Sequence, residues 1–297
     1  MSTESHPPLP PLNEEPGTPI PGRHQDRVAI ITGASRGIGK AVARRLALEG
    51  ATIIVAAKSA GDPAEKLPGT IHETVSIIEE AGGTARPFKI DVRDEAQIEL
   101  LVNRTIDEFG RIDYLFNNAG AIHLRSVIDT PPKRYDLMLD INVRASHTLA
   151  HFVLPHMVKQ QFGHVLMFSP ELHTQPSPGM AAYMVSKLGM TRVAISIAEE
   201  HRADNIAGNA IWPVTMIDTL AVRNNGLSDV SQCRTPEIIC DAVSELLSRP
   251  PAECTGNQYT DEDVLREAGV TDFDHYWVNG APPETPMLIA GAGSVIR

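Results

Sequence analysis

From Arg27 onward the chain alternates short β-branched runs with stretches of helical periodicity, and this alternation constrains its fold more than any other feature. Val28-Ala29-Ile30-Ile31 precedes a helical stretch over 39–49, and Thr52-Ile53-Ile54-Val55 precedes another near 73–81. The order continues with a strand near 86–90, a helix over 95–109, a strand at 112–116, helices within 134–158, a strand at 164–168, a helix over 180–201 and a strand at 205–211. Continuous apolar runs suit strands covered on both faces, and a helix between successive strands gives crossover connections. The pattern predicts an α/β fold, a doubly wound parallel sheet in a single domain over 25–297. Residues 251–297, rich in turn formers and acids, are expected to add a last strand and a C-terminal wrap.

Residues 1–24 stand outside the pattern, with seven prolines, three glutamates and almost nothing apolar. Such a segment buries too little surface to offset its ordering entropy, so 1–24 is expected to be a disordered, partly polyproline-II tail. As a spacer it needs no partner; a Pro-rich ligand for a partner domain is the sharper alternative. A formal net charge of −11 argues against nucleic-acid partners and against anionic membranes, both of which need a basic face. No apolar stretch approaches the roughly 18 residues of a membrane span. The N-terminus reads as neither a signal nor a transit peptide, and Ser294-Val295-Ile296-Arg297 matches no retention or peroxisomal address. The three cysteines, Cys233, Cys240 and Cys254, form no C-x-x-C pair and suit a reducing compartment, so a cytoplasmic location is expected.

Between the first strand and its helix stands Thr32-Gly33-Ala34-Ser35-Arg36-Gly37-Ile38-Gly39. Glycines in this place allow a tight turn, close approach of backbone to a pyrophosphate, and close helix–strand packing, as in Rossmann-type folds. The helix start then offers free N–H groups to the phosphates. A Walker A loop is excluded, because Ala41 stands where Ser or Thr is required after Lys40. An acid near the end of the second strand would hold the ribose 2′-hydroxyl of NAD, but Ala57-Lys58 stands there. Arg36 and Lys58 could together neutralise a 2′-phosphate, which favours NADP and leaves NAD possible through Asp62, should its loop fold back.

Three ordered motifs, Thr32–Gly39, Asn117-Asn118-Ala119-Gly120 and Tyr183-Met184-Val185-Ser186-Lys187, resemble the short-chain dehydrogenase/reductase family over about residues 26–260. Ala56-Ala57-Lys58, Asp91-Val92-Arg93-Asp94, Ser169-Pro170, Trp212-Pro213 and the Thr255-Gly256-Asn257 to Phe273-Asp274 ending are similar to a subgroup, the hydroxysteroid dehydrogenase-like proteins, in the dehydrogenase domain and without the sterol-carrier domain some members carry. Independently of that resemblance, Tyr183 and Lys187 are one helical turn apart on one face. A neighbouring ammonium favours the phenolate and would lower the tyrosine pKa towards a useful acid/base range.

The resemblance implies an NAD(P)-dependent oxidoreductase that interconverts a carbonyl and an alcohol on a small to medium apolar molecule. Tyr183 would be the acid/base, Lys187 would also bind the nicotinamide ribose, and Asn142 would hold a proton-relay water. Gly33, Ser35, Arg36, Gly37, Ile38 and Gly39 would line the pyrophosphate, Asn118, Ala119 and Gly120 the cofactor after the fourth strand, Asp91 the adenine. Pro213, Ile217 and Thr219 would contact the carboxamide, although Val214 replaces the family's glycine. It also implies a homodimer or homotetramer.

One departure stands out: the family's substrate-orienting serine lies thirteen residues before the tyrosine, and that position is Pro170. Proline offers neither hydroxyl nor N–H. A one-residue bulge would bring Ser169 into the site, which is the favoured reading; otherwise His173 or Thr174 substitutes. The rival function is a nucleotide-binding protein of the same fold with weak or lost catalysis, acting through partners. His147 and His151, with His156 nearby, have ligand-like spacing but no carboxylate partner, so no metal is expected and a helix interface is preferred.

Overall fold

The computed structural model describes residues 17–62 and 67–289. In chain order the elements are β1 (Val28–Thr32), α1 (Gly37–Leu48), β2 (Thr52–Ala57), α2 (Ile71–Glu80), β3 (Thr84–Lys89), α3 (Glu95–Phe109), β4 (Tyr114–Asn117) and α4 (Pro132–Met138). There follow a wider, π-helical turn (Leu139–Arg144), α5 (Ala145–Gln160), β5 (Gly163–Phe168), α6 (Ala181–Glu200), β6 (Ile206–Trp212), α7 (Leu220–Asn225), α8 (Glu237–Ser248), β7 (Gln258–Thr260) and α9 (Asp261–Glu267). Among the described residues, seven strands pair in parallel in the order β3-β2-β1-β4-β5-β6-β7. The winding reverses beside β1, so a crevice opens outside the carboxyl ends of β1 and β4, where such sheets bind ligands.

The apolar runs that announced the strands are buried on both faces. Ile31, Val55 and Phe116 pack with residues of α1, α2 and α8, whereas Ile30, Ile54 and Leu115 pack with residues of α3, α5 and α6. Adjacent residues thus serve opposite layers, as the two-residue period of a strand requires. Thr70 caps α2 by accepting from Glu73 N, and Asp94 caps α3 by accepting from Ala96 N and Gln97 N. Pro87 is tolerated because β3 lies at the sheet edge.

Three differences from the sequence expectations have physical reasons. The helices expected within 134–158 are α4 and α5, and the π-helical turn at 139–144 that joins them was not expected. The apolar periodicity of 237–248 forms α8, which covers α1 and completes one layer. Finally, the tail expected to be disordered over 1–24 is packed over 17–24. Ile20 and His24 are buried there. Gly17 N donates to Asp241 Oδ2 at 2.7 Å and Ile20 N to Glu49 Oε1 at 3.1 Å, giving two buried carboxylates their donors. Residues 1–16 of the expected tail lie outside the described residues.

Candidate active site

The glycine loop and the residues after β4 are built against each other. Gly33 and Gly37 have φ of 68° and 56°, the left-handed region. A Cβ on Gly39 would fall 2.5 Å from Asn118 Nδ2 and 2.6 Å from the Gly33 carbonyl oxygen. Thr32 Oγ1 accepts from Asn118 N and Ala119 N, each at 3.1 Å, and Asn118 Nδ2 donates to the Thr32 carbonyl at 2.9 Å. Two motifs far apart in sequence therefore form one surface. Among the described residues no side chain caps the start of α1, so its first N–H groups can serve an anion. Ser35 is buried beneath this turn, and Ile38 packs against the core.

Around the end of β2 the charge is basic but partly engaged. Arg36 donates from Nε to the Pro68 carbonyl at 2.8 Å, and from Nη2 to Ser59 Oγ at 2.9 Å and the Gly69 carbonyl at 2.8 Å. Lys58 projects outward with its side chain 76% exposed, its Nζ 4.0 Å from Asp91 Oδ2. The Arg93 guanidinium grips the Asp91 carboxylate at 2.9 and 2.5 Å and holds it down at about 2. Ser59 and Arg93 were not anticipated as parts of this corner, although each lies within two residues of a predicted member. The loop beyond Asp62, at 63–66, lies outside the described residues.

On α6, Tyr183 is half-buried and Lys187 is buried. Lys187 Nζ donates to the Phe168 carbonyl at 2.7 Å and lies 5.4 Å above the Trp212 ring. Burial pushes its ammonium down to about 7, and burial raises the Tyr183 phenol. The latter direction is the reverse of that expected from the neighbouring ammonium alone, because desolvation of the phenolate dominates. A Cβ on Gly120 would sit 3.6 Å from Lys187 Nζ and 3.5 Å from Asn142 Oδ1, so Gly120, Asn142 and Lys187 converge.

Asn142 owes its position to the π-helical turn, a device that often re-aims side chains at functional sites. Its Oδ1 accepts from Ala121 N at 2.8 Å, and Nδ2 donates to the Ala121 carbonyl at 3.0 Å and to Ser186 Oγ at 2.8 Å. Ser186 in turn donates to the Tyr183 carbonyl at 2.7 Å. Sequence reading passed over Ser186; its place three residues after Tyr183 on the same helix was the available signal. After β6, Pro213 and Ile217 are buried, and Thr219 caps α7 by accepting from Val222 N at 3.4 Å. The Thr219 methyl would lie 3.6 Å from a Cβ on Gly37, so this segment reaches back to the glycine loop.

Ser169 is not brought into this group. The β5–β6 pairing runs in register through Phe168 and Ile211 without a bulge, and Ser169 N donates to the Ile211 carbonyl at 3.0 Å. The fully buried hydroxyl lies 2.7 Å from Thr191 Oγ1. Thr191 follows Tyr183 by eight residues, about 12 Å along the helix, and the tyrosine side chain leans the other way, towards the helix start. The bulge that would have carried Ser169 to Tyr183 is replaced by this contact. Thr174 is exposed, whereas His173 keeps a buried Nδ1 with no hydrogen-bond partner among the described residues.

A parallel sheet with a glycine turn at its switch point, joined to a Tyr-x-x-x-Lys helix, defines a dinucleotide-binding α/β protein. The family model described as short chain dehydrogenase matches residues 27–227, and the chain belongs to that family. It is 43% identical over 271 residues to hydroxysteroid dehydrogenase-like protein 2 of Xenopus tropicalis, covering 90% of this chain and 64% of the relative. The chain thus spans less than two thirds of the length of that relative. Among solved structures, a short chain dehydrogenase from Mycobacterium thermoresistibile is 42% identical with a TM-score of 0.80, covering 87% of this chain and 93% of that one. A metagenomic short-chain oxidoreductase in complex with NADP is 26% identical with a TM-score of 0.67, covering 79% and 96%.

Proposed function

We propose that the chain is an NADP-dependent oxidoreductase interconverting a carbonyl and an alcohol on a small to medium apolar substrate. The observation that carries this reading is the convergence of Gly120, Asn142 and Lys187, one turn from Tyr183, beside the glycine loop. The loop fits a dinucleotide: a Cβ at Gly33 or Gly39 would collide with its neighbours, and the α1 start is uncapped. Gly33, Ser35, Arg36, Gly37, Ile38 and Gly39 would hold the pyrophosphate, Asn118, Ala119 and Gly120 the middle of the molecule, and Asp91 the adenine end. Lys58 with Arg36 would meet a 2′-phosphate, and Pro213, Ile217 and Thr219 the carboxamide.

The chemistry a bound NADPH would supply is a hydride for the carbonyl carbon. The Tyr183 hydroxyl gives its proton to the carbonyl oxygen, and in the opposite direction the phenolate takes it back. Burial keeps the phenol protonated near neutral pH, which suits the acid role in reduction. Lys187 brings a proton-exchanging amine one turn away and would also hold the nicotinamide ribose. Both Nδ2 protons of Asn142 are taken by the Ala121 carbonyl and Ser186, which fixes the turn carrying Tyr183, while Oδ1 accepts only from Ala121 N and keeps a lone pair for a relay water. With Ser169 held by Thr191, His173 is the group we assign to orienting the substrate carbonyl, on the strength of its unpartnered Nδ1.

No helix among the described residues is long and apolar enough to cross a membrane. We assign the protein to the cytoplasm. A groove of about 770 Å³ between α5 and α6, lined by His147, His151, Arg192, Glu200 and His201, supports a homo-oligomer built on these helices.

Oxidation of NADPH and of NADH is measured with a panel of aldehydes and ketones, beside Tyr183→Phe. Turnover with NADPH that is lost in the variant supports the enzyme. Pro170 favours a second reading, a nucleotide-binding protein without catalysis; wild type that binds NADPH and reduces nothing supports that one.

A further inference from the structure

Asp261 opens α9 immediately after β7 and is fully buried. Its Oδ1 accepts two amides at 2.9 Å, Val214 N and Glu262 N, while Oδ2 is buried with no hydrogen-bond partner among the described residues. Burial pushes the carboxyl up to about 7, against the field of Arg234. Burying an ionisable group whose second oxygen is unpaired is unfavourable to folding. A neutral side chain would avoid that cost, which points to a gain elsewhere.

The gain is legible in what Val214 belongs to. Residues 214–218 are clamped from three sides. Asp261 takes the Val214 N–H. The Val214 carbonyl accepts from Ile289 N at 2.7 Å, and Thr215 bridges Leu288 in antiparallel register. The Arg234 backbone donates to the Met216 carbonyl at 2.9 Å and accepts from Asp218 N at 2.8 Å. Arg234 is itself fixed, lying 4.7 Å over the Trp277 ring and 2.6 Å from Glu262. The clamped segment follows Pro213, contains Ile217 and ends at Thr219, whose methyl faces Gly37 of the glycine loop. Val214 is buried, so its amide needs an acceptor, and Asp261 is that acceptor.

We propose that Asp261 is a positioning residue for the reaction: by holding the Val214 amide it sets where the 213–219 segment lies over the nicotinamide end of the cofactor. The inference rests on the NADP reading above. It accounts for an acceptor reached by two amides, in the field of Arg234. Asparagine would keep the Oδ1 acceptor at the same place, whereas alanine would remove it.

The test compares wild type, Asp261→Ala and Asp261→Asn in three readouts: NADPH dissociation constant, the separate KM for NADPH and kcat, and amide hydrogen exchange over 213–219. The alanine variant is expected to raise the dissociation constant and KM about tenfold, the effect of roughly one buried hydrogen bond. Exchange over 213–219 should quicken selectively, and asparagine should restore both to within about threefold of wild type. Should alanine fail to fold, Asp261→Glu keeps the charge, moves the oxygen by a methylene, and carries the same expectation. An alanine or glutamate variant that is less heat-stable yet binds NADPH as wild type does overturns the proposal alone. Wild type that binds neither nucleotide overturns the cofactor reading, and this proposal with it.

Discussion

Thr191 Oγ1 lies 2.7 Å from Ser169 Oγ and 2.6 Å from the Pro170 carbonyl oxygen, in the closed space between β5 and α6. A hydroxyl has one proton, so if Thr191 donates to Pro170, Ser169 must donate to Thr191. The serine beside the departure from the family pattern thus ties the strand end to the helix that carries Tyr183 and Lys187. Ser169→Ala is expected to lower stability by about 1–2 kcal/mol, the loss of one buried hydrogen bond, and to leave kcat/KM within about threefold. Urea unfolding and steady-state kinetics check this. A variant of unchanged stability whose kcat falls a hundredfold would put Ser169 back at the substrate.

The two cations assigned to the 2′-phosphate differ in what else they do. Lys58 is exposed and only grazes Asp91, so Lys58→Ala is expected to raise KM for NADPH about tenfold and leave KM for NADH nearly unchanged, one charged contact being worth about that much. Arg36 also holds Pro68 and Gly69 through their carbonyls, so Arg36→Ala should weaken both nucleotides. Initial rates with each cofactor decide the matter. Equal effects of Lys58→Ala on the two nucleotides would remove Lys58 from the selectivity.

Gly39→Ala is the sharpest test of the glycine turn. Its Cβ would meet the Gly33 carbonyl oxygen at 2.6 Å, and backbone cannot swing aside as a long side chain can. The expected result is loss of nucleotide binding by tenfold or more, with α1 still formed, read by fluorescence titration and far-ultraviolet circular dichroism. Unimpaired binding would mean that the turn relaxes elsewhere and that its close contact with Asn118 is not needed.

What the sequence made legible and what it did not divide along physical lines. The strands β1, β2 and β5 stood out because their apolar runs are buried on both faces, which leaves no polar alternation to confuse the pattern. Tyr183 and Lys187 were legible because helical spacing alone puts them together. The surroundings of Ser169 were not legible because the side of a strand end on which a hydroxyl falls depends on pairing with Ile211, a contact between chain positions far apart. Asn142 could be singled out from its motif, but the π-helical turn that aims it depends on packing no local pattern reveals. Ile20 and His24 were lost in a Pro-rich composition, since their partners Glu49, Tyr114 and Ser244 come from distant parts of the chain.

That docked segment makes the protein acid-sensitive in a definite window. His24 is fully buried, with Nδ1 3.1 Å from Tyr114 Oη and Nε2 3.2 Å from Ser244 Oγ; His164 is buried on the other side of the Tyr114 ring. Burial lowers His24 to about 3 and His164 to about 4. Both are neutral in the folded chain, while in the unfolded chain each takes up a proton as pH falls through the ordinary value near 6.5. The unfolded state therefore binds more protons below that value. Stability is fully present above pH 6.5 and is lost as pH falls towards 4 and then 3, by up to about 1.4 kcal/mol per pH unit for each histidine. His24→Gln keeps an amide for Tyr114 and Ser244 but cannot take the proton, and contributions from groups remote from His24 cancel in the comparison with wild type. Urea unfolding at pH 7, 6, 5 and 4.5 should show the variant losing less stability with acid, by about one histidine's slope. Parallel losses in the two proteins would mean that His24 meets solvent and that the 17–24 segment is not packed against α8 as described.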